Sequence, residues 1–206
     1  MPKIYKLEPT DNTFSITWNV GTRCNYDCMY CPTALHDNTS RYPNLALLQQ
    51  RWQSIYSKTS SKNLPYKISF TGGEVSSNKS FLPLLEWLHN NYRNNIFKIL
   101  VTSNGSASLR YYTRLFELVD NLSLSFHSEH ADENKFFSQV IALHKNLSPG
   151  KHLHVNIMDE SWNQSRIPLY TDLLSKHNIS HNINKIDYSK ATRIEPIMKG
   201  KQNLAI

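Results

Sequence analysis

Strand-like and helical segments alternate along this chain, and that alternation limits its fold more than any other feature. Period-two patterns predict strands at 14–20, 67–71, 98–102, 122–127, 152–158 and 179–186. Between them, apolar residues recur at intervals of three and four and predict helices at 45–55, 81–92, 109–119, 136–147 and 167–174. Repeated strand–helix units of this kind imply a parallel sheet with right-handed crossovers.

The polar faces of two strands favour a partial barrel over an open, doubly wound sheet. In 122–127 apolar residues alternate with serine and histidine, and 152–158 has a similar alternation. Central parallel strands are usually continuous apolar runs, so a polar face in consecutive strands indicates a wet lumen, with solvent-facing edge strands as the alternative. We predict an α/β fold, a partial (βα)6 barrel of parallel strands, with one domain at 1–187 and a basic C-terminal tail at 188–206.

Composition limits the partners of this chain. Its 206 residues include 23 Lys and Arg against 16 Asp and Glu, a formal charge of +7. We find neither a signal-peptide core nor an apolar run that could cross a bilayer, so we expect a soluble, cytoplasmic protein without a membrane partner. The basic residues are scattered and form no nucleic-acid-binding motif. They therefore either form a solubilising surface or attract an anionic partner such as a nucleotide or an acidic peptide.

The chain has three cysteines, and they lie within eight residues of one another, at Cys24, Cys28 and Cys31. An odd number of clustered thiols indicates metal binding rather than a disulfide framework. Four thiolates normally complete an iron–sulfur cubane, so three would leave one iron for another ligand. His36 is the internal candidate for that position and would give a Cys3His site for zinc or iron. If His36 does not bind a metal, we expect it to be a solvated histidine in a loop.

Three short motifs resemble the radical S-adenosylmethionine (SAM) superfamily. The segment RCNYDCMYCP at 23–32 has the C-x3-C-x2-C spacing of that superfamily, with an aromatic residue before the third cysteine. FTGGE at 70–74 follows the second predicted strand and resembles the family's GGE motif, and TSNG at 102–105 follows the third. The resemblance covers about residues 14–158.

The resemblance implies a cofactor set and the residues that hold it. Cys24, Cys28 and Cys31 would bind a [4Fe–4S] cluster whose fourth iron binds SAM. The remaining contacts to SAM would come from backbone and polar groups at the strand ends. These expected SAM-binding residues are Tyr30, Gly72, Gly73, Glu74, Asn104, Ser125 and Asn156.

Each motif has a physical reason to bind a ligand. Glycines at 72 and 73 would let the backbone approach SAM and donate amides to it, and Glu74 would offer a carboxylate to its ammonium group. Tyr30 would present its backbone to the adenine. Ligands of parallel sheets bind at the carboxyl ends of the strands, where all these residues are predicted to lie.

The implied reaction is reductive cleavage of SAM to a 5′-deoxyadenosyl radical, which abstracts hydrogen from a substrate. A flavodoxin or ferredoxin would supply the electron. The substrate classes that remain open are a small metabolite, a nucleotide and a peptide. The alternatives are a glycyl-radical-enzyme activase and a non-catalytic Cys3His metal-binding module of the same fold.

Two histidines are further candidates for the lumen. His127 lies where many peptide-modifying relatives carry Asp, two residues after the serine of the fourth strand. If His127 and His154 face the lumen, they would bind an anionic substrate or move a proton. Otherwise they are hydrogen-bonded structural histidines.

Overall fold

The computed structural model describes residues 9–10, 12–32 and 34–188. It contains seven strands: β1 (Pro9–Thr10), β2 (Thr13–Asn19), β3 (Tyr66–Thr71), β4 (Ile96–Ser103), β5 (Asn121–Phe126), β6 (His152–Asp159) and β7 (Ser180–Lys185). The helices are α1 (Leu45–Thr59), α2 (Phe81–Tyr92), α3 (Leu109–Leu118), α4 (Glu133–Lys145) and α5 (Ile167–Lys176). Single 3-10 turns lie at Ser60–Lys62, Val75–Ser77, Arg93–Asn95 and Gln164–Arg166.

The order of the strands in the sheet follows the order of the chain. Strands β2 to β7 are all parallel, and each pairs with the strand that precedes it and, up to β6, with the strand that follows it in the chain. The short β1 pairs antiparallel with β2. A doubly wound sheet would reverse its strand order at a switch point, and this sheet has no reversal within the described residues. Every crossover therefore advances in one direction, which confirms the predicted partial barrel of six parallel strands; β1 was not predicted.

Side chains at the helix starts explain where three helices begin. The side chain of Asn44 accepts a hydrogen bond from the amide of Leu47 at 2.9 Å, and Asp132 does the same for Lys135 at 2.8 Å. Ser108 caps α3 in this way. Each cap satisfies an amide that the first helical turn leaves unpaired, and losing one typically costs about 1 kcal/mol.

The two faces of the sheet have opposite chemistry. The outer face is covered by the helices, and residues such as Ile68, Phe70 and Leu84 are completely buried there. The inner face has serine, threonine, asparagine, lysine and histidine at the alternate positions of the same strands. The polar faces seen in the sequence therefore line the concave side of the barrel, as predicted.

The predicted boundary between the domain and the C-terminal tail lies at the end of the described residues. Residues 189–206, which make up nearly all of the predicted tail, lie outside the described residues. Tyr188 is described, and its ring meets Tyr30 edge to face. Among the described helices, none is both long and apolar enough to span a bilayer.

Candidate metal and cofactor site

A cavity of about 370 Å³ lies at the carboxyl ends of the parallel strands. All three cysteines contribute to its wall, together with the GGE turn and polar residues from β5 and β6. Cavities of this size are typical of small-ligand sites, and this end of a parallel barrel is where such ligands bind. The fold therefore brings the predicted site residues, except His154, to one cavity.

The cysteine loop follows β2 and is held at its base by Asp37. The amide of Cys24 donates to the Asp37 carbonyl at 2.9 Å, and the Asp37 amide donates to the Thr22 carbonyl at 3.0 Å. The Asp37 side chain accepts from the Thr22 hydroxyl and from Ser40. These hydrogen bonds to the charged form hold the pKa of Asp37 well below its usual range. The loop is thus closed at its base by a parallel bridge between Arg23 and Asp37, and its thiols line the cavity.

The two glycines of the GGE turn pack against the chain itself. The Gly73 amide donates to the Gly21 carbonyl at 2.7 Å, and the Glu74 amide donates to the Arg23 carbonyl at 2.9 Å. A Cβ on Gly73 would lie 2.1 Å from the Arg23 oxygen, and one on Gly72 would lie 2.5 Å from the Gly21 oxygen. The expectation that the Gly73 amide is free for a ligand was therefore wrong. Both positions require glycine because the cysteine loop begins directly against this turn.

The carboxylate of Glu74 joins the ends of β3 and β4. It accepts from the Ser103 hydroxyl and the Asn104 amide, both at 2.6 Å, and from the Ser76 amide at 2.8 Å. The side chain is only 2% exposed, and this burial raises its pKa above the ordinary value. Glu74 lines the cavity with its carboxyl oxygens already accepting hydrogen bonds from three donors of the chain.

Asn104 connects the TSNG turn to the cysteine loop. Its side-chain NH2 donates to the Asn25 oxygen at 3.0 Å, with the Cys24 sulfur 3.9 Å away. Its side-chain oxygen accepts from the Ser106 amide at 3.0 Å, which forms the turn. The next residue, Gly105, has a φ of +75°, and a Cβ there would meet the ring of Phe136 at 2.3 Å. The amide of Asn104 is therefore engaged in positioning the loop.

The three cysteines are thiols, and none forms a disulfide. Burial raises the pKa of Cys24 to about 11, and burial together with Glu129 raises the pKa of Cys28 further. The three sulfurs do not all lie within 4.8 Å of one another. A single zinc ion holds its sulfur ligands about 3.8 Å apart, from Zn–S bonds of roughly 2.3 Å. The three sulfurs are therefore not arranged as the ligands of one zinc ion.

His36 is neither a solvated loop residue nor a neighbour that completes a Cys3His set. It is 4% exposed, and its Nε2–H donates to the Tyr26 carbonyl at 2.6 Å. Its Nδ1 lies 3.9 Å from the carboxylate of Asp27. The interpretation of His36 as solvated was therefore wrong, because the loop folds over this ring and uses it as a hydrogen-bond donor. The residues whose ligand atoms do lie within 4.8 Å of one another are Cys28, Glu129 and His130.

His127 faces the cysteine cavity. Its Nδ1 lies 3.6 Å from the Cys28 sulfur and contacts the hydroxyl of Tyr30, whose ring is nearly parallel to the imidazole. Burial, with a smaller effect of His130, lowers the pKa of His127 to about 4. The imidazole is therefore neutral at neutral pH.

Ser125 and Asn156 lie side by side on the floor of the cavity. The Asn156 NH2 donates to the Ser123 hydroxyl at 2.7 Å and approaches the Ser125 hydroxyl at 3.4 Å. His154 is one inward position further from the cavity. It bonds to the Ser180 hydroxyl at 2.8 Å and to Asn182, and lines a second cavity of about 270 Å³. The two candidate histidines thus belong to different parts of the concave face.

Two acidic residues of the site were missed in the sequence. Glu160 is completely buried and accepts from the Tyr30 hydroxyl at 3.0 Å and from Ser128. Glu129 accepts from the Met29 amide at 3.2 Å. Glu129 follows the end of β5 and Glu160 follows the end of β6. That position, at the carboxyl end of a parallel strand, was the only feature of the sequence that could have indicated a role in the site. Neither belongs to a recognisable motif, and their partners in the cysteine loop, Met29 and Tyr30, are 100 and 130 positions away in the chain.

Sequence comparison does not assign this chain to a family. No protein-family model matches it, and no curated protein sequence matches it. Solved structures, in contrast, match over nearly its whole length. These likenesses are at low sequence identity and therefore concern the fold.

The matching structures define the class of architecture. Streptococcus suis SuiB bound to the precursor peptide SuiA is similar with a TM-score of 0.65 at 14% identity, over 92% of this chain and 44% of SuiB. SuiB bound to S-adenosylmethionine gives a TM-score of 0.62 at 15% identity, over 91% of this chain and 46% of SuiB. BtrN in complex with AdoMet and 2-DOIA gives 0.50 at 15% identity, over 97% of this chain and 82% of BtrN.

These likenesses show that the chain has the partial α/β-barrel fold of SuiB and BtrN. It spans less than half the length of SuiB.

Proposed function

We propose that this chain is a radical SAM enzyme, in which Cys24, Cys28 and Cys31 hold a [4Fe–4S] cluster and SAM occupies the adjoining cavity. The supporting observation is that three thiols from one loop line a cavity at the carboxyl ends of a partial barrel. In this structure their sulfurs are not arranged as the ligands of one zinc ion. SuiB and BtrN, which share the fold, were solved with S-adenosylmethionine or AdoMet.

The reduced cluster would supply one electron that breaks the C5′–S bond of SAM, giving methionine and a 5′-deoxyadenosyl radical that would abstract a hydrogen atom from a substrate. The residues of the chain hold and shield that chemistry. Glu74 and Asn104 hold the GGE turn and the cysteine loop in one arrangement. Ser125 and Asn156 offer hydroxyl and amide groups on the cavity floor. Neutral His127 and the Tyr30 ring limit access of water to Cys28.

The electron donor in this proposal is a flavodoxin or a ferredoxin. SuiB was solved with a precursor peptide and BtrN with 2-DOIA, so the same fold accommodates unlike ligands. A peptide and a small polar metabolite are therefore the first substrate classes to test, with a nucleotide as the third.

The test is anaerobic reconstitution with iron and sulfide, followed by reduction with dithionite and addition of SAM. We expect one [4Fe–4S] cluster per chain, an electron paramagnetic resonance signal that changes when SAM is added, and formation of 5′-deoxyadenosine. Cys28→Ala should lack the cluster and form no 5′-deoxyadenosine. Ser57→Ala, which removes a hydroxyl on an exposed side of α1, is the control and should match the wild type. A Cys28→Ala protein that still cleaves SAM would end this proposal.

A non-catalytic metal-binding module is the second candidate. Cys28, Glu129 and His130 present one ligand atom each within a 4.8 Å group, which suits a single ion such as zinc. This candidate predicts one zinc or iron per chain, loss of that ion in Glu129→Gln, and no 5′-deoxyadenosine. The same reconstitution experiment separates it from the radical SAM proposal.

A further inference from the structure

The concave face of the sheet is polar along its whole length, well beyond the cysteine cavity. The inward positions of β2 to β7 are serine, threonine, asparagine, lysine or histidine, apart from Leu100 and Met158. None of the described strand residues on this face is Asp or Glu. The basic side chains at the end of this face away from the cysteines are those of Lys67 and Lys98, with His152 on β6.

Two lysines are direct neighbours on this face. Lys67 of β3 and Lys98 of β4 are register partners, and Ser15 of β2 is the partner of Lys67 on its other side. Adjacent parallel strands lie about 4.8 Å apart, so the two ammonium groups can reach one point. Within the described residues neither lysine has an ion-pair partner. The buried hydroxyl of Ser15 has no hydrogen-bond partner there either.

Like charges that face one another across two strands destabilise a sheet. The nearby carboxylate does not offset this pair, because Asp120 is bonded to Arg93 at 3.4 Å and to the Ile99 amide at 2.7 Å. Two unpaired lysines beside an unpaired hydroxyl therefore form an anion-binding arrangement, which a bound carboxylate or phosphate would stabilise.

Ser69 and Leu100, which lie two residues further along β3 and β4 than the two lysines, line a second cavity that adjoins the cysteine cavity. The second cavity, of about 270 Å³, is lined by Ser69, Leu100, Ser123 and His154, among others, and shares Thr102 with the cysteine cavity. The buried side-chain oxygen of Asn121, another lining residue, has no partner within the described residues. A ligand reaching from one cavity to the other would pass the side chains of Ser69, Ser123 and Thr102.

We propose that Lys67 and Lys98 bind the anionic group, a carboxylate or a phosphate, of a small polar substrate that lies along the concave face. The position of the reacting bond of this substrate, at the cysteine cavity, rests on the proposed function. The anion site itself does not depend on that proposal. Thr71, at the cysteine cavity, is four positions along β3 from Lys67, a distance of about 13 Å at roughly 3.3 Å per residue. The substrate would span that distance, with its anionic group remote from the bond that reacts.

The test is an NMR titration of the full chain with inorganic phosphate and, separately, with succinate at low ionic strength. We expect saturable shifts of the amides of Lys67, Lys98 and their strand neighbours. Lys67→Gln and Lys98→Gln should each weaken binding about tenfold, and Lys67→Arg should retain it because the charge is kept. Lys58→Gln is the control, since it removes the same charge from an exposed position on α1.

Tighter binding of phosphate would indicate a phosphate ester, and tighter binding of succinate a carboxylate; both results support the site. Equal affinity in the wild type and both Gln variants, an equal loss in Lys58→Gln, or no saturable shifts at these strands would overturn it. Repeating the titration with Cys28→Ala separates the two proposals. If the reconstituted wild type binds phosphate but forms no cluster, only the proposed function is refuted. If it cleaves SAM but binds no anion at these strands, only this inference is refuted.

Discussion

The phenol of Tyr30 donates a 3.0 Å hydrogen bond to the carboxylate of Glu160, although the two residues are 130 positions apart. Tyr30 belongs to the cysteine loop after β2 and Glu160 follows β6, so this bond connects the loops that follow these two strands. Ser128, after β5, donates to the same carboxylate. One buried acid thus holds three loops around Cys28.

Stability should depend on pH through Glu160. Burial raises its pKa, so the folded chain binds this proton more tightly than the unfolded chain does. The stabilisation from that proton is complete below about pH 4.3, the ordinary value, and is lost as pH rises through the raised pKa. We expect the wild type to lose stability relative to Glu160→Gln as pH rises from about 4 towards 7. Urea unfolding at several pH values measures this, and a constant or opposite difference would refute it.

Gly73→Ala should disrupt the cysteine loop. The added Cβ would lie 2.1 Å from the Arg23 carbonyl oxygen, and backbone cannot move aside as a flexible side chain can. We expect destabilisation of about 3 kcal/mol or more by chemical unfolding, with reduced iron content after reconstitution. The control is Gly21→Ala, whose Cβ would touch only Pro43 at 3.4 Å. Equal stability of the two variants would contradict this account of the GGE turn.

His36→Ala should lower stability without removing a metal ligand. The variant loses the hydrogen bond to the part-buried Tyr26 carbonyl, at a cost of about 1 kcal/mol. Iron content per folded chain should equal that of the wild type. Cys28→Ala provides the comparison in which iron is lost. Iron loss in both variants would mean that His36 is a ligand after all.

Cys24 of the cluster-free protein should react slowly with iodoacetamide. Burial raises its pKa to about 11, so at pH 7.5 its thiolate fraction is about two orders of magnitude below that of an ordinary cysteine. Its rate should rise about tenfold per pH unit up to that pKa, with Cys28 slower still. Peptide mass spectrometry resolves the two sites. A rate for Cys24 that levels off near pH 8.5 would contradict the buried arrangement.

The six parallel strands and five helices could be predicted because each has a local pattern. In β5, for example, Leu122 and Leu124 face the helices while Ser123 and Ser125 face the lumen. The short β1 was missed because two residues carry no periodicity. His36 was misjudged for a related reason: its burial depends on how the loop closes over it, and nothing in its immediate neighbours indicates that.

The amino-acid sequence alone determined the alternating architecture, the clustered thiols and the glycines of the turn after β3, because those features depend on residues that are close together in the chain. Only the tertiary structure decided what Gly73, Glu160 and the Lys67–Lys98 pair do. Gly73 meets the cysteine loop, Glu160 meets Tyr30, and the two lysines become adjacent through strand register. Such contacts join residues tens of positions apart, and their chemistry arises from burial and proximity that no local pattern encodes.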